Sequence, residues 1–211
     1  MVALCCRYVS RRLDSADGSL RCLRSDSVIK WLRQRYDFVT LTVLAFIPLL
    51  LSAPGKLPAD TKLYLYLNPG RLLSDAAWTW DSRQLGGWVP HQNVGYLWPT
   101  GPWFSFFNWL SVPDWIAHRL WLGSLLIIAG LGTRWLAKLL GLTKSAQFIA
   151  ALCYQLSPFV LPYISRTSAL LLPWSLSPWI IGLTLLMIKQ RRWQYFAIFG
   201  LLIASSGGLN A

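Results

Sequence analysis

Long apolar stretches separated by polar connections are the main pattern in this chain. They occur at residues 38–53, about 115–132, about 145–164, about 167–188, and from 193 onward. A helix needs about 20 mostly apolar residues to cross the hydrocarbon core of a bilayer. The first stretch is short, but flanking residues can extend it. The pattern predicts an all-α polytopic membrane protein with about five transmembrane helices.

The first apolar stretch has a second interpretation, because a cleaved signal peptide also begins with basic residues before an apolar run. Here the basic part would be unusually long, and Pro54 directly follows the only site that ends in alanine. These two features favour an uncleaved anchor.

The basic residues predict the orientation of the chain in the membrane. They cluster at residues 7–35, 134–144 and 189–192. Cytoplasmic connections carry an excess of Lys and Arg, and five spans with a cytoplasmic N-terminus place all three clusters inside. The chain is therefore expected to be a multi-pass plasma-membrane protein whose segment 54–117 is external.

The orientation divides the chain into two predicted regions. Residues 1–37 form a basic cytoplasmic segment, in which residues 28–36 predict a short amphipathic helix on the membrane surface. Residues 38–211 form the membrane domain, and its external segment 54–117 is expected to contain short interfacial helices.

Composition agrees with a membrane protein and excludes other classes. Hydrophobic residues make up 55% and charged residues 13%, against roughly 45–50% and about 25% in soluble domains. This excess excludes a disordered chain. The net charge of +12 could indicate nucleic acid, but eight of the 20 cations lie in the first 37 residues and most of the others sit beside apolar runs. Nucleic-acid binding is therefore not expected.

The external segment is rich in aromatic residues, which has two explanations. It holds seven tryptophans, at positions 78, 80, 88, 98, 103, 109 and 115. Aromatic side chains form belts at membrane interfaces, and flat aromatic faces also bind sugars through their apolar area.

Four prolines interrupt the third and fourth spans, at positions 158, 162, 173 and 178; they indicate either kinked packing helices or a cleft.

Candidate chemistry begins with Asp60, which follows the first span closely and could act as a general base. The alternative is an exposed loop residue or the N-cap of a following helix. Lys62, Arg119 and Arg166 could bind a phosphate, whereas snorkelling to the interface is the other explanation for the two arginines. No carboxylate pair or Cys/His spacing is typical of a metal site, so neither a metal nor another cofactor is expected.

Several strings in segment 60–104 resemble one family. They are Asp-Thr-Lys-Leu-Tyr-Leu-Tyr-Leu-Asn-Pro at 60–69, Trp-Asp at 80–81, Gly-Gly-Trp-Val-Pro-His at 86–91, and Gln-x-x-Gly-Tyr-x-x-Pro-x-Gly-Pro at 92–102. Together they resemble the N-terminal GT-C domain of actinobacterial alpha-(1→3)-arabinofuranosyltransferases, the AftD-like family. The similarity extends over about residues 38–211.

The resemblance implies a GT-C-like helix bundle that transfers arabinofuranose from decaprenyl-phosphoryl-arabinofuranose to a cell-wall arabinan. Asp60 matches the position of the catalytic acid in the first external loop of GT-C enzymes, and the reaction is expected to invert the anomeric carbon. Lys62, Arg119 and Arg166 are expected at the donor phosphate. The sugar-binding candidates are His91, Gln92, Tyr96 and Trp98.

Two other functions remain open at the level of the sequence. A flippase or transporter of a lipid-linked sugar would use a similar apolar cleft without a base. A non-catalytic membrane remnant is the second alternative, because the chain stops within or just after an apolar run and family proteins are several times longer. On that ground the chain is expected to be a fragment of a longer enzyme.

Overall fold

A computed structural model describes residues 35–57, 67–75, 98–164 and 170–206, together with positions 78, 80, 82, 86 and 87. All regular structure in these residues is helical, which confirms the all-α fold class. The helices are α1 (Tyr36–Leu51), α2 (Pro69–Asp75), α3 (Thr100–Trp109), α4 (Asp114–Leu139), α5 (Lys144–Gln155), α6 (Val160–Ile164), α7 (Leu171–Gln190) and α8 (Trp193–Ser206). The chain divides into two units at Thr40/Leu41. Of the first unit, only residues 35–40 are described.

Helix α4 is the centre of the larger unit. It packs against α3, α5 and α7, and its buried residues include Trp121, Leu122, Leu125 and Leu126. The core around these side chains also includes Ala45 of α1, Phe104 of α3 and Leu171 of α7. A central helix surrounded by partners explains why α4 contributes more buried residues than its neighbours.

Glycines on α4 let the neighbouring helices approach closely. Gly123 lies against the ring of Phe46 on α1, Gly130 against the amide of Gln155 on α5, and Gly132 against the indole of Trp179 on α7. Helix association in membranes favours small residues at the contact because backbones can then pack tightly. Each glycine thus receives one large side chain from a different helix.

Capping signals explain where α4 ends and α5 begins. Gly141 adopts a positive φ of 79°. Its N–H donates to Lys138 O, and the N–H of Leu142 donates to Ala137 O. This pair of bonds is the Schellman motif, for which glycine is favoured. Thr143 then caps α5 by accepting a hydrogen bond from the N–H of Ala146 at 3.4 Å, so the two helices form an antiparallel hairpin.

Two helices, α4 and α7, are long and apolar enough to cross a membrane, and α1 and α8 are shorter apolar helices. These four correspond to the first, second, fourth and fifth predicted spans. The third predicted span is divided between α5 and α6, which are separated at residues 156–159. Pro158 lies in this break, where its missing N–H interrupts helical bonding. The number of five spans therefore stays a prediction.

The described part of the predicted external segment contains two short helices, α2 and α3. Asn68 and Pro69 begin α2: the Asn68 side chain accepts a hydrogen bond from the N–H of Arg71 at 3.1 Å, and proline suits the first helical position. Helix α3 packs on both α2 and α4. The amphipathic helix predicted at 28–36 falls almost entirely outside the described residues.

Candidate functional site

Arg119 is the central polar side chain at the end of the bundle where α1 ends and α4 begins. Its Nη1 donates to Leu50 O at 3.3 Å, and its Nη2 donates to Ala53 O at 2.6 Å and Lys56 O at 3.2 Å. The residue is 6% exposed. One guanidinium thus joins the last turn of α1 to the backbone that follows it.

The position of Arg119 suits a buried cation. The C-terminal end of a helix carries a partial negative charge on its unpaired carbonyls, and one carbonyl of the last turn of α1 and two carbonyls just after it face this guanidinium. The cation also lies 4.7 Å from the ring centroid of Trp115, which adds a cation–π interaction. These contacts offset the cost of removing the charge from water.

The backbone after α1 makes a compact turn beside Arg119. Ala53 has a φ of 33° and Gly55 a φ of 77°, and the N–H of Lys56 donates to Ala53 O at 3.2 Å. Ala53 O therefore accepts from both the turn and the guanidinium. Only three residues separate Lys56 from Asp60.

Aromatic side chains of α3 attach it to the first two turns of α4. Trp103 donates from its indole N–H to Ala117 O at 3.3 Å, and its ring lies 5.0 Å from that of Phe107 and 5.4 Å from that of Trp121. Phe104 is buried at the same contact. By contrast, Trp109 is 76% exposed and Phe106 is 53% exposed, so α3 has one packed face and one exposed aromatic face.

Trp98 connects the segment before α3 to the end of α8. Its indole N–H donates to the Ser205 hydroxyl at 3.0 Å, across 107 residues of sequence. The Trp98 side chain is nevertheless 59% exposed, so most of its ring is available for a ligand. The contact brings the end of α8 to the segment that leads into α3.

The predicted site residues are only partly described. Arg119 and Trp98 have the positions given above. The other candidates lie outside the described residues: Asp60, Lys62, His91, Gln92, Tyr96 and Arg166. Phosphate binding by Arg119 stays a prediction, although its Nη atoms already donate to carbonyls. Within the described part of the chain, no three His, Cys, Asp or Glu side chains come together.

Gln155 is a buried polar residue that the sequence analysis did not select. Its Nε2 donates to Leu41 O at 2.9 Å, and the side chain is 1% exposed. Its Oε1 has no hydrogen-bond partner among the described residues. Nearby, the hydroxyl of Tyr154 donates to Trp174 O at 2.8 Å. A glutamine inside an apolar stretch was the available signal, because such residues usually bond between membrane helices.

Comparisons with known proteins give a consistent relationship. Residues 41–211 match the family model described as alpha-(1→3)-arabinofuranosyltransferase, N-terminal GT-C domain. An alpha-(1→3)-arabinofuranosyltransferase of Mycobacterium tuberculosis is 34% identical over 165 residues, which is 76% of this chain and 12% of that protein. One of Mycolicibacterium smegmatis is 36% identical over 139 residues, 65% of this chain and 10% of that protein.

Solved structures agree with the sequence comparisons. One cryo-EM structure of a mutant arabinofuranosyltransferase AftD from mycobacteria has a TM-score of 0.76 and 31% identity, covering 83% of this chain and 14% of that chain. A second AftD structure has a TM-score of 0.67 and 33% identity, covering 72% and 12%. The chain thus spans about an eighth of the length of the relatives that it matches.

Proposed function

Because the chain belongs to the alpha-(1→3)-arabinofuranosyltransferase family through its N-terminal GT-C domain, we propose that it acts in arabinofuranosyl transfer at the plasma membrane. The donor is decaprenyl-phosphoryl-arabinofuranose, and the acceptor is a growing cell-wall arabinan. The match over residues 41–211 is the observation that carries this proposal. Two apolar helices of spanning length, α4 and α7, support a membrane location.

In the proposed reaction Asp60 is the general base. Its carboxylate takes the proton of the acceptor hydroxyl while the hydroxyl oxygen attacks C1 of the arabinofuranose. The bond between C1 and the phosphate oxygen breaks on the opposite face, and its electron pair leaves with the phosphate, which inverts the configuration. General-base assistance contributes roughly 10²–10⁴-fold. The phosphate is itself the leaving group, so the proposed step uses no cofactor.

The phosphate and the sugar have separate candidate groups. Lys62 and Arg166 are proposed to stabilise the departing phosphate charge; three of the five N–H groups of Arg119, the third phosphate candidate, donate to carbonyls. His91, Gln92, Tyr96 and Trp98 are the proposed sugar contacts. The largely exposed ring of Trp98 supports stacking on a sugar.

The prenyl chain of the donor is proposed to lie against the break between α5 and α6. Irregular backbone at membrane depth requires protein or a cavity around it. Phe159 and Tyr163 have ring centroids 4.6 Å apart, and Phe159 lies 6.4 Å from Trp174. Phe159 is 44% exposed, so this cluster offers an apolar surface to a lipid chain.

The deciding experiment measures transfer from radiolabelled donor in membranes that express the full natural reading frame encoding this chain. Asp60→Asn removes the base but keeps the size of the side chain, and we expect transfer to fall at least about 10²-fold. Asp114→Asn, in the same predicted external segment, is the matched control and should retain transfer. Membrane insertion should be equal in both variants.

Two outcomes would overturn the proposal. Full transfer by Asp60→Asn removes Asp60 from the mechanism. Movement of the lipid-linked sugar across the bilayer without transfer, unchanged by Asp60→Asn, would instead indicate a flippase.

A further inference from the structure

We propose that Arg119 is a positioning residue that fixes the backbone leading from α1 to Asp60. The inference rests on the proposed function, because it assigns a role to the segment that carries the proposed base. Arg119 itself does not contact the reacting atoms in this proposal.

The first argument is how Arg119 distributes its hydrogen bonds. Its acceptors are Leu50 O in the last turn of α1, Ala53 O in the turn and Lys56 O beyond it. Carbonyls at the end of a helix have no partner within the helix. A single planar guanidinium offers several donors in a fixed geometry. It can therefore hold the end of α1 and the backbone that follows it in one arrangement.

The second argument is the anchoring of Arg119 itself. It lies in the second turn of α4, next to His118, which is 1% exposed. Trp103 of α3 donates to Ala117 O in the same part of α4. The guanidinium therefore projects from a packed helix rather than from a loop, and rigid elements hold functional groups more accurately than loops do.

The third argument is the length of chain between the anchor and the base. Asp60 is the fourth residue after Lys56, and a fully extended chain of that length spans at most about 14 Å. Without the anchor, the nearest fixed point is Leu51, the last residue of α1, and the reach grows to about 31 Å. A misplacement of about 1 Å can lower a rate about 10²-fold. The anchor thus restricts where the carboxylate can be.

The same geometry explains why we assign positioning rather than phosphate binding to Arg119. Three of the five N–H groups of the guanidinium donate to neutral carbonyls, and a phosphate that took these three N–H groups would displace the carbonyls. The carbonyls of Ala53 and Lys56 would then lose their charged donor, and the turn would lose its attachment to α4.

The experiment uses electron paramagnetic resonance on the full 211-residue chain in phospholipid nanodiscs. A spin label is attached at Leu57→Cys, next to the anchored Lys56, after the four native cysteines are replaced by serine. With Arg119 present, we expect an immobilised spectrum. Arg119→Gln removes the guanidinium, so the mobility of the label should increase. Arg119→Lys keeps the charge and a donor group, so the label should again be partly immobilised.

A second label at Val112→Cys gives the matched control. Val112 lies in the turn between α3 and α4, where its N–H donates to Phe107 O, and it makes no contact with Arg119 through that bond. Its spectrum should be the same in all three proteins. An unchanged spectrum of the Leu57 label in Arg119→Gln overturns the proposal. An equal gain in mobility at Leu57 and Val112 also overturns it, because it would indicate a general loss of structure.

Transfer kinetics in the membranes used for Asp60 connect the anchor to the reaction. Arg119→Gln should lower the turnover by about 10- to 100-fold and leave the KM for the donor within about twofold, with partial rescue by Arg119→Lys. A large rise in the donor KM with unchanged turnover would assign Arg119 to donor binding instead. If Asp60→Asn retains transfer, the proposed base fails, whereas the label spectra still decide whether Arg119 anchors the turn.

Discussion

At the scale of single residues, buried polar side chains attach to the backbone of α1. Arg119 binds Leu50 O in the last turn of α1 and two carbonyls just after this helix, and Gln155 binds Leu41 O nearer its beginning. Both side chains are at least nine-tenths buried. A buried donor needs a partner, and helix carbonyls are the acceptors available in an apolar bundle. Single polar residues can therefore fix the position of a helix that has little polar surface of its own.

A pair of glycine–tryptophan contacts makes a testable prediction at this scale. Gly132 of α4 receives the indole of Trp179, and Gly182 of α7 receives that of Trp135. The two rings stack with centroids 5.2 Å apart, and Trp179 donates to Ile128 O at 2.9 Å. This bond and the stacking hold the ring of Trp179 in place. The added methyl group of Gly132→Ala should therefore overpack the contact and destabilise the protein by about 1–3 kcal/mol.

Thermal unfolding in detergent, followed by size-exclusion chromatography, measures this effect as a lower Tm. Gly200→Ala in α8 is the control, since nothing lies within 4 Å of the added Cβ; there alanine should leave the Tm unchanged or raise it. Equal Tm values for the two variants would contradict the packing argument.

At the scale of elements, α3 is an aromatic helix attached by one face. Trp103, Phe104 and Phe107 face α4, whereas Phe106, Trp109 and Leu110 are exposed. Helix α4 has 26 residues and is about 39 Å long, longer than the ~30 Å hydrocarbon core. The first turns of α4, where α3 attaches, therefore suit the interfacial level, in agreement with an aromatic belt.

The two faces of α3 predict different effects of tryptophan removal. Trp103→Ala deletes a hydrogen bond and two ring contacts, so α3 should open more often. Amide hydrogen exchange across residues 100–109 should rise about tenfold or more, the factor that corresponds to a loss of roughly 1.4 kcal/mol. Trp109→Ala, on the exposed face, should leave this exchange within about twofold. A similar increase in both variants would show that α3 is not held through Trp103.

At the scale of the whole molecule, long-range contacts agree with the proposed orientation. Arg119 links the end of α1 to the beginning of α4, and Trp98 links the predicted external segment to the end of α8. The basic turns at 140–144 and 189–192 lie at the C-terminal ends of α4 and α7, whereas Arg119 lies near the N-terminal end of α4. With the positive-inside rule, the basic turns predict a cytoplasmic N-terminus and an external Arg119 end.

Fusion reporters test this orientation. Alkaline phosphatase inserted at residues 111–113 should be active because it folds outside the cytoplasm, and green fluorescent protein inserted at 140–143 or after Gln190 should fluoresce inside. The physical reason is the excess of Lys and Arg that retains those turns in the cytoplasm. Fluorescence from residues 111–113 would reverse the orientation and place the proposed base on the wrong side for a cell-wall acceptor.

Much of the fold could be predicted from sequence because apolar length and cation position depend on local composition. The apolar helices α1, α4, α7 and α8 were predictable in this way. Family membership came from short strings such as the one at 92–102. The roles of Asp60, Lys62 and Arg166 stay predictions, because they lie outside the described residues.

Only the tertiary structure decided what depends on contacts between distant residues. The sequence marks Arg119 as a costly charge near a membrane boundary, but its carbonyl partners lie more than 60 residues away. The sequence likewise contains an apolar run of span length at 145–164, yet α5 ends at Gln155, where the side chain meets Gly130 and Leu41. Hydrophobicity determines which segments leave water, whereas the choice of partners follows from packing and hydrogen bonding in three dimensions.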